Sequence, residues 1–235
     1  MPSAAVVAAA RAAGLSHLYV EIAESSRGFY GAPGLAALLP AAHRAGLRVI
    51  AWVYPYLHDL PADVALTVAA ARYRAPSGDR PDGVLADIEE NVAEGTVHAY
   101  GQIVRAALGP AAPMAIAAVP PQSSAGRAFP FATAALSWDA IVPMDYWHAQ
   151  RRAYGPAEVY AYVRDSVTQI RARAARHARR SAWPDVRLRL ERRRQPGRRR
   201  DPRRGRGEDL VREQHGLGPP RHRPWRALAG LVWAG

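Results

Sequence analysis

Asp82-Gly83-Val84-Leu85-Ala86-Asp87-Ile88-Glu89 is the stretch on which the fold turns. A turn dipeptide leads into an apolar run that ends in two carboxylates spaced i, i+2. Successive side chains on a strand take opposite faces, so Asp87 and Glu89 share one face and Ile88 takes the other. Two acids on an otherwise apolar strand are costly to bury, which places them where the strand meets solvent. In parallel α/β proteins the carboxyl ends of the strands are where chemistry is placed. The same acids, with Glu90, would also suit the first turn of a following helix, where negative charge favours the dipole. The octapeptide alone leaves both readings open.

Outward from this strand the chain alternates helix and strand. Residues 3–13 read as an amphipathic helix stopped by Gly14, and 17–23 as a β-rich run. A Gly- and Pro-containing loop follows from Ser25 to Gly34. Leu35, Leu38, Leu39 and Ala42 then recur at helical spacing up to Gly46, and 49–56 is again an apolar strand. Arg11-Ala12-Ala13-Gly14-Leu15 and Arg44-Ala45-Gly46-Leu47 repeat one helix-stop junction, 32 residues apart, about one βα unit. Asp59-Leu60-Pro61 opens a helix to about Arg74, with proline in the first turn. Beyond Glu89 come a helix over 92–108, strands over 113–119 and 140–146, and a helix from Pro156 striped by Val159, Val163, Val167 and Ile170.

Apolar strands alternating with helices predict a parallel sheet. No Gly-rich phosphate fingerprint follows any strand, which disfavours a doubly wound nucleotide fold. The expected architecture is an incomplete (β/α)8 TIM barrel over residues 1–170, showing five parallel strands that correspond to the second through sixth. With three strands missing, unpaired strand edges predict a chain of low stability.

Composition sets the outer limits. A chain of 235 residues with 49% hydrophobic content can bury one sizeable core. It has no cysteine, so disulfides and thiolate metal sites are excluded. No metal and no cofactor are called for. No apolar run reaches the length of about 18 residues that reads as a membrane span. The Ala-rich start is interrupted by Arg11 and reads as a helix, not a signal peptide.

The net charge of +12 is unevenly placed. Residues 171–235 hold 20 of the 32 basic residues, all arginine, and 6 of the 20 acids, leaving the first 170 residues slightly acidic. This Arg-, Pro- and Gly-rich tail cannot bury a core. It reads as translation in a shifted frame, as an inert solvated tail, or as a polyanion-binding arm. Aromatic residues that could stack on bases are limited there to Trp183, Trp225 and Trp233, which argues against nucleic acid as the partner.

The strand ends supply the candidate site. Glu21 lies near the end of the first strand, and Trp52, Tyr54 and Tyr56 alternate along the next. Pro143-Met144-Asp145-Tyr146-Trp147-His148 closes the last with an acid, a phenol, an indole and an imidazole. Flat rings beside carboxylates suit sugars, whose C–H faces pack on rings while their hydroxyls bond to acids. Core packing is the plainer role for some of Trp52, Tyr54 and Tyr56. His17, His43 and His98 read as surface or structural, whereas His58 and His148 lie just past strand ends.

Residues 82–89 resemble the D-G-x-D-x-D-x-E strand of family-18 glycoside hydrolases, the chitinase-like (β/α)8 barrels. Asp82, Gly83, Asp87 and Glu89 match, and Leu85 stands where that family has its first inner aspartate. Met144-Asp145-Tyr146-Trp147 is similar to the family's M-x-Y-D, with Trp147 in place of the aspartate, while 49–56 has no S-x-G-G. The D-x-E pair also resembles that of family-25, lysozyme-like barrels. The resemblance implies a polysaccharide or oligosaccharide substrate and secretion of the intact family. It implies Glu89 as general acid, with Asp87 orienting an N-acetyl group or stabilising the oxocarbenium-like transition state, and Tyr146 bonding that group. Asp145 is the alternative second carboxylate. Glu21, Trp52, Tyr54, Tyr56 and Trp147 would bind the sugar. A carbohydrate-binding barrel without catalysis is the rival reading.

Overall fold

The computed structural model describes residues 3–146 and 154–180. Its elements run α1 (Ser3–Ala12), β1 (His17–Glu24), β2 (Gly28–Phe29), α2 (Ala32–Arg44), β3 (Arg48–Tyr54), α3 (Leu60–Arg72), β4 (Gly83–Asp87) and α4 (Glu94–Leu108). They continue with β5 (Met114–Ala118), α5 (Ser124–Ala128), α6 (Phe131–Ser137), β6 (Ala140–Pro143) and α7 (Pro156–Arg180). The sheet order is β2-β1-β3-β4-β5-β6. All neighbours pair in parallel except the short β2, which folds back antiparallel on β1.

The five parallel strands expected from sequence are therefore present, each beside its predecessor. An open doubly wound sheet reverses its strand order at a switch point; this sheet has none among the described residues. Its two faces also differ in kind. One packs Leu18, Val20, Ile22, Val49, Val53, Val84, Ile88 and Ile116 against residues of α1, α2, α4 and α6 such as Ala10, Leu39, Tyr100 and Phe131. The other gathers Tyr19, Leu85, Ala117, Val142 and Met144, with Ile50 and Trp52 beside them, and no helical residue. Helices on one side and strand side chains alone on the other make the arc of a barrel wall.

The repeated junction folds the same way twice. Gly14 and Gly46 both take φ +75°, a left-handed conformation that glycine adopts without Cβ strain. At each, the following leucine N–H reaches back five residues, Leu15 to the Ala10 carbonyl at 3.0 Å and Leu47 to the Ala42 carbonyl at 2.9 Å. This is the helix stop that buries a hydrophobic residue on leaving, and Leu15 and Leu47 are both buried. Asp59 caps α3 by accepting from the Ala62 N–H, with Pro61 in the first turn as expected.

Three short elements, β2, α5 and α6, leave no mark in the sequence, because two to seven residues cannot display a period. Residue 170 falls inside a helix. Helix α7 continues to Arg180, and the Arg173 guanidinium donates to the Gly126 and Pro121 carbonyls while lying over the Phe131 ring. The first arginines after 170 thus belong to a helix. The rest of the predicted tail, 181–235, and Trp147 and His148 lie outside the described residues.

Asp82, at the base of β4, is a structural latch. Its carboxylate accepts from the Val49 N–H at 2.8 Å and pairs with His43 Nε2 at 3.0 Å, while Asp79 holds His43 Nδ1 at 2.7 Å. His43 is therefore structural, as expected. Partial burial alone would lower its pKa; the hydrogen bonds to Asp79 and Asp82 outweigh that and raise it. A raised histidine stabilises fully below the unfolded value of about 6.5, and that stabilisation fades as pH climbs through the folded value. His43→Gln should therefore lose roughly 0.5–1.5 kcal/mol near pH 6 and much less near pH 9. Urea unfolding at the two pH values checks this, and an equal loss at both would contradict the latch.

Candidate active site

Asp87 is the last residue of β4 and Glu89 lies two beyond it, both toward the face opposite the helices. Helix α4 begins only at Glu94, after Ala93, so the acids are strand-end residues and not its first turn. Asp87 is only 3% exposed. Burial pushes its carboxyl up to about 8, helped by the negative charges of Glu89 and Glu21. The Trp52 indole offsets little of this. Its N–H lies beside Asp87 without reaching hydrogen-bond geometry, and Trp52 Nε1 and Asp87 Oδ1 are both buried without a partner among the described residues. One buried donor and one buried acceptor are thus left without a hydrogen-bond partner beside each other.

Glu89 stands at the rim, exposed on one side and crowded on the other. Burial raises its pKa, and Glu90 adds to the rise. Tyr54 donates to Glu90 at 3.3 Å, and burial followed by the charge of Glu89 holds its phenol protonated. Tyr146 is half-exposed, and burial plus the charges of Asp87, Glu89 and Glu21 push it up to about 12. These shared influences bring Tyr146, Tyr54, Glu21, Asp87 and Glu89 into one electrostatic neighbourhood.

Asp145 is elsewhere. Ser166 of α7 donates to its Oδ1 at 2.7 Å, and Ser166 is also bonded to Gln122. Burial pushes Asp145 up to about 7, and its charge acts on Tyr162 of α7. Its described contacts are thus with α7 and not with Glu89. Adjacent residues leaving β6 point to opposite sides, so Tyr146 faces the acids and Asp145 faces α7.

Of the remaining described candidates, Trp52 lies on β3 and Tyr56 just past its end. Tyr54 and Tyr56 meet edge to face at 5.2 Å, and the Tyr56 ring lies 6.3 Å from His58. Tyr56 donates to Glu24, and Tyr30 donates to Glu21. Trp52 is half-buried beside the strand-only cluster, so core packing accounts for part of it.

Several supporting residues had no mark in the sequence. Buried Asp63 accepts from Ser25 and from the Leu57 N–H, tying the loop after β1 to the loop after β3. Leu57 is held at φ 59°, a strained value for a branched side chain, while Asn91 donates to its carbonyl. Tyr30 sits in a stretch that reads only as loop. No spacing rule links it to Glu21, because their contact is made by the β1–β2 turn.

A cavity of about 760 Å³ lies away from these acids, at the base of β4, lined among others by His43, Arg72, Asp79, Asp82 and Pro113. Within its lining His43 is paired with Asp79 and Asp82, and Arg72 donates to the Ala107 carbonyl. Among the described residues no cluster of three metal-ligating side chains occurs, and no helix is long and apolar enough to cross a membrane.

No protein-family model matches the sequence, and no curated protein matches it. Among solved structures, a chitinase from Bacteroides thetaiotaomicron aligns at 11% identity and TM-score 0.49, over 65% of this chain and 53% of its own. A Bacillus subtilis protein described as a sporulation-specific glycosylase, ydhD, aligns at 13% identity and TM-score 0.44, over 65% of this chain and 57% of its own. The chain thus spans little more than half the length of either structure.

Proposed function

We propose that the chain is a glycoside-hydrolase-like module in which Glu89 and Asp87 act on a glycosidic bond of a polysaccharide. The observation that carries this reading is one carboxyl kept protonated near neutrality beside a second, more exposed one, at the carboxyl end of a parallel strand. Tyr146 and Tyr54 border the pair with protonated phenols.

In this reading Glu89 gives its proton to the leaving glycosidic oxygen as the bond from that oxygen to the anomeric carbon breaks. The bonding electron pair leaves with the oxygen. Positive charge then develops on the sugar ring, and an N-acetyl carbonyl oxygen of the same sugar attacks the anomeric carbon. Asp87 orients that acetamide, with Tyr146 hydrogen-bonding it. Water then attacks the anomeric carbon as its bond to the acetamide oxygen breaks, the electron pair returning to the acetamide, and the water gives a proton to Glu89, which restores the site. Asp87, protonated up to about pH 8, is the proton reserve beside Glu89.

A second reading, a carbohydrate-binding barrel without catalysis, is favoured by one observation. Leu85, buried on the inner face of β4, replaces the acid that the D-x-D-x-E pattern would put two residues before Asp87. Incubating the full chain with chitin oligosaccharides and with peptidoglycan separates the two. Release of new reducing ends supports the enzyme. Retention of the glycan without turnover overturns catalysis in favour of binding, and neither overturns both.

A further inference from the structure

The segment that carries Glu89 is fixed at both ends, each end to a different neighbour of β4. On one side Ile88, fully buried, donates its N–H to the Ala117 carbonyl of β5 at 3.3 Å. On the other, Asn91 reaches the loop after β3 twice. Its N–H donates to the Tyr56 carbonyl at 3.3 Å, and its side-chain amide to the Leu57 carbonyl at 3.1 Å. Glu90, between them, accepts from Tyr54 of β3 at 3.3 Å. Strand β4 ends at Asp87 and helix α4 starts only at Glu94, so residues 89–91 lie outside any regular element and depend on these tethers.

The acceptor on Leu57 is itself built. Leu57 takes φ 59°, a left-handed conformation that a branched side chain keeps only where its surroundings over-determine it. Here they do. The Leu57 N–H donates to buried Asp63 at 2.8 Å, its side chain is buried, and its carbonyl is taken by Asn91. Asp63 also accepts from the Ser25 hydroxyl. The oxygen of that hydroxyl accepts from the Tyr56 N–H at 2.8 Å, and the Ser25 N–H donates to the Tyr54 carbonyl at 3.1 Å. The loops after β1, β3 and β4 are thus joined in one hydrogen-bonded chain, Ser25 to Asp63 to Leu57 to Asn91, which ends two residues from Glu89.

We propose that Asn91 is the positioning residue for Glu89, its amide clamped on the Leu57 carbonyl so that the proton donor is held in place at the strand end. The inference deepens the glycosidase reading and rests on it for the role of Glu89. Among the described residues no side-chain hydrogen bond acts on the Glu89 carboxyl, so its place is set through its backbone. That backbone is tied to β5 just before Glu89 and to the loop after β3 just beyond it. Of the two ties, the one at Asn91 is the one that a side chain makes. A reacting group misplaced by about 1 Å can lose roughly 10²-fold in rate, which is what the clamp prevents.

The test measures backbone amide relaxation by NMR in the labelled full chain, without substrate, beside kinetics on chitin oligosaccharides. In wild type the Glu89 and Glu90 amides should be as rigid as β4, with order parameters of about 0.85, and in Asn91→Ala they should fall toward about 0.6. With that loss kcat should drop roughly 10²-fold while KM stays within a few-fold. Asn91→Gln, which keeps an amide donor on a longer stem, should recover part of both. A merely structural Asn91 would lower the melting temperature and leave the order parameters and kcat unchanged; that result overturns the proposal. So does mobility at Glu89 and Glu90 that leaves kcat where it was. If Asn91→Ala does not fold, wild type decides alone. Slow hydrogen exchange at the Asn91 side-chain amide, with rigid Glu89 and Glu90 amides, supports the clamp, and exchange at the rate of a free amide sinks it. A chain that cleaves no glycan removes the glycosidase reading without changing the order parameters, so the two failures are distinguishable.

Discussion

Asp87→Asn should make the protein more stable at alkaline pH while removing any glycan hydrolysis. In the folded chain the Asp87 carboxyl titrates at about 8, against about 3.9 for an unfolded aspartate. The folded state therefore holds its proton more tightly, and folding is favoured most below the unfolded value. As pH rises from about 4 to 8 that advantage is lost, and above 8 the full penalty of a buried charge remains. The shift of about four pH units corresponds to a ceiling of about 5 kcal/mol, of which relaxation around the site would leave a few. Asparagine has the same shape and no charge, and it can still use the orphaned Trp52 N–H and a ligand group. The gain over wild type should be near zero at about pH 4 and reach a few kcal/mol at about pH 9. Urea midpoints of both proteins across this range provide the check. A gain that does not grow with pH would mean that Asp87 is not the buried acid described above. Stability gained where activity is lost is the usual signature of a site held under strain by its function.

The second large effect concerns Glu89. Glu89→Gln keeps size and hydrogen bonding but cannot donate the proton, so hydrolysis should fall by about 10²–10⁴-fold. Glycan affinity should stay within a few-fold, because Glu89 is exposed at the rim and not buried in a packed contact. The neighbouring Glu90 is the control. It raises the Glu89 pKa and accepts from Tyr54, so Glu90→Gln should lower that pKa. The protonated donor then persists over a shorter range, and the alkaline limb of the rate profile moves to lower pH. A Glu89→Gln protein that turns over at the wild-type rate would remove Glu89 from the reaction.

Much of this was legible in the chain because it depends on neighbours in sequence. The i, i+2 spacing puts Asp87 and Glu89 on one face of β4 through the twofold period of a strand. The two Ala-Gly-Leu junctions stop α1 and α2 identically because only local bonds and one left-handed glycine are needed. The same alternation applied to Asp145 and Tyr146 separates them, although their adjacency invites reading them as one cluster; Ser166 then explains where Asp145 points.

What the sequence by itself determined, then, is the succession of strands and helices and the face on which each strand-end acid lies, since both follow from short periods. Only the tertiary structure decided which acids act on one another. Tyr30 reaches Glu21 through the β1–β2 turn, Asp63 joins Ser25 to Leu57, and burial together with Glu89 raises Asp87. A pKa is set by desolvation and by charges a few ångströms away in space, and neither quantity has a period along the chain.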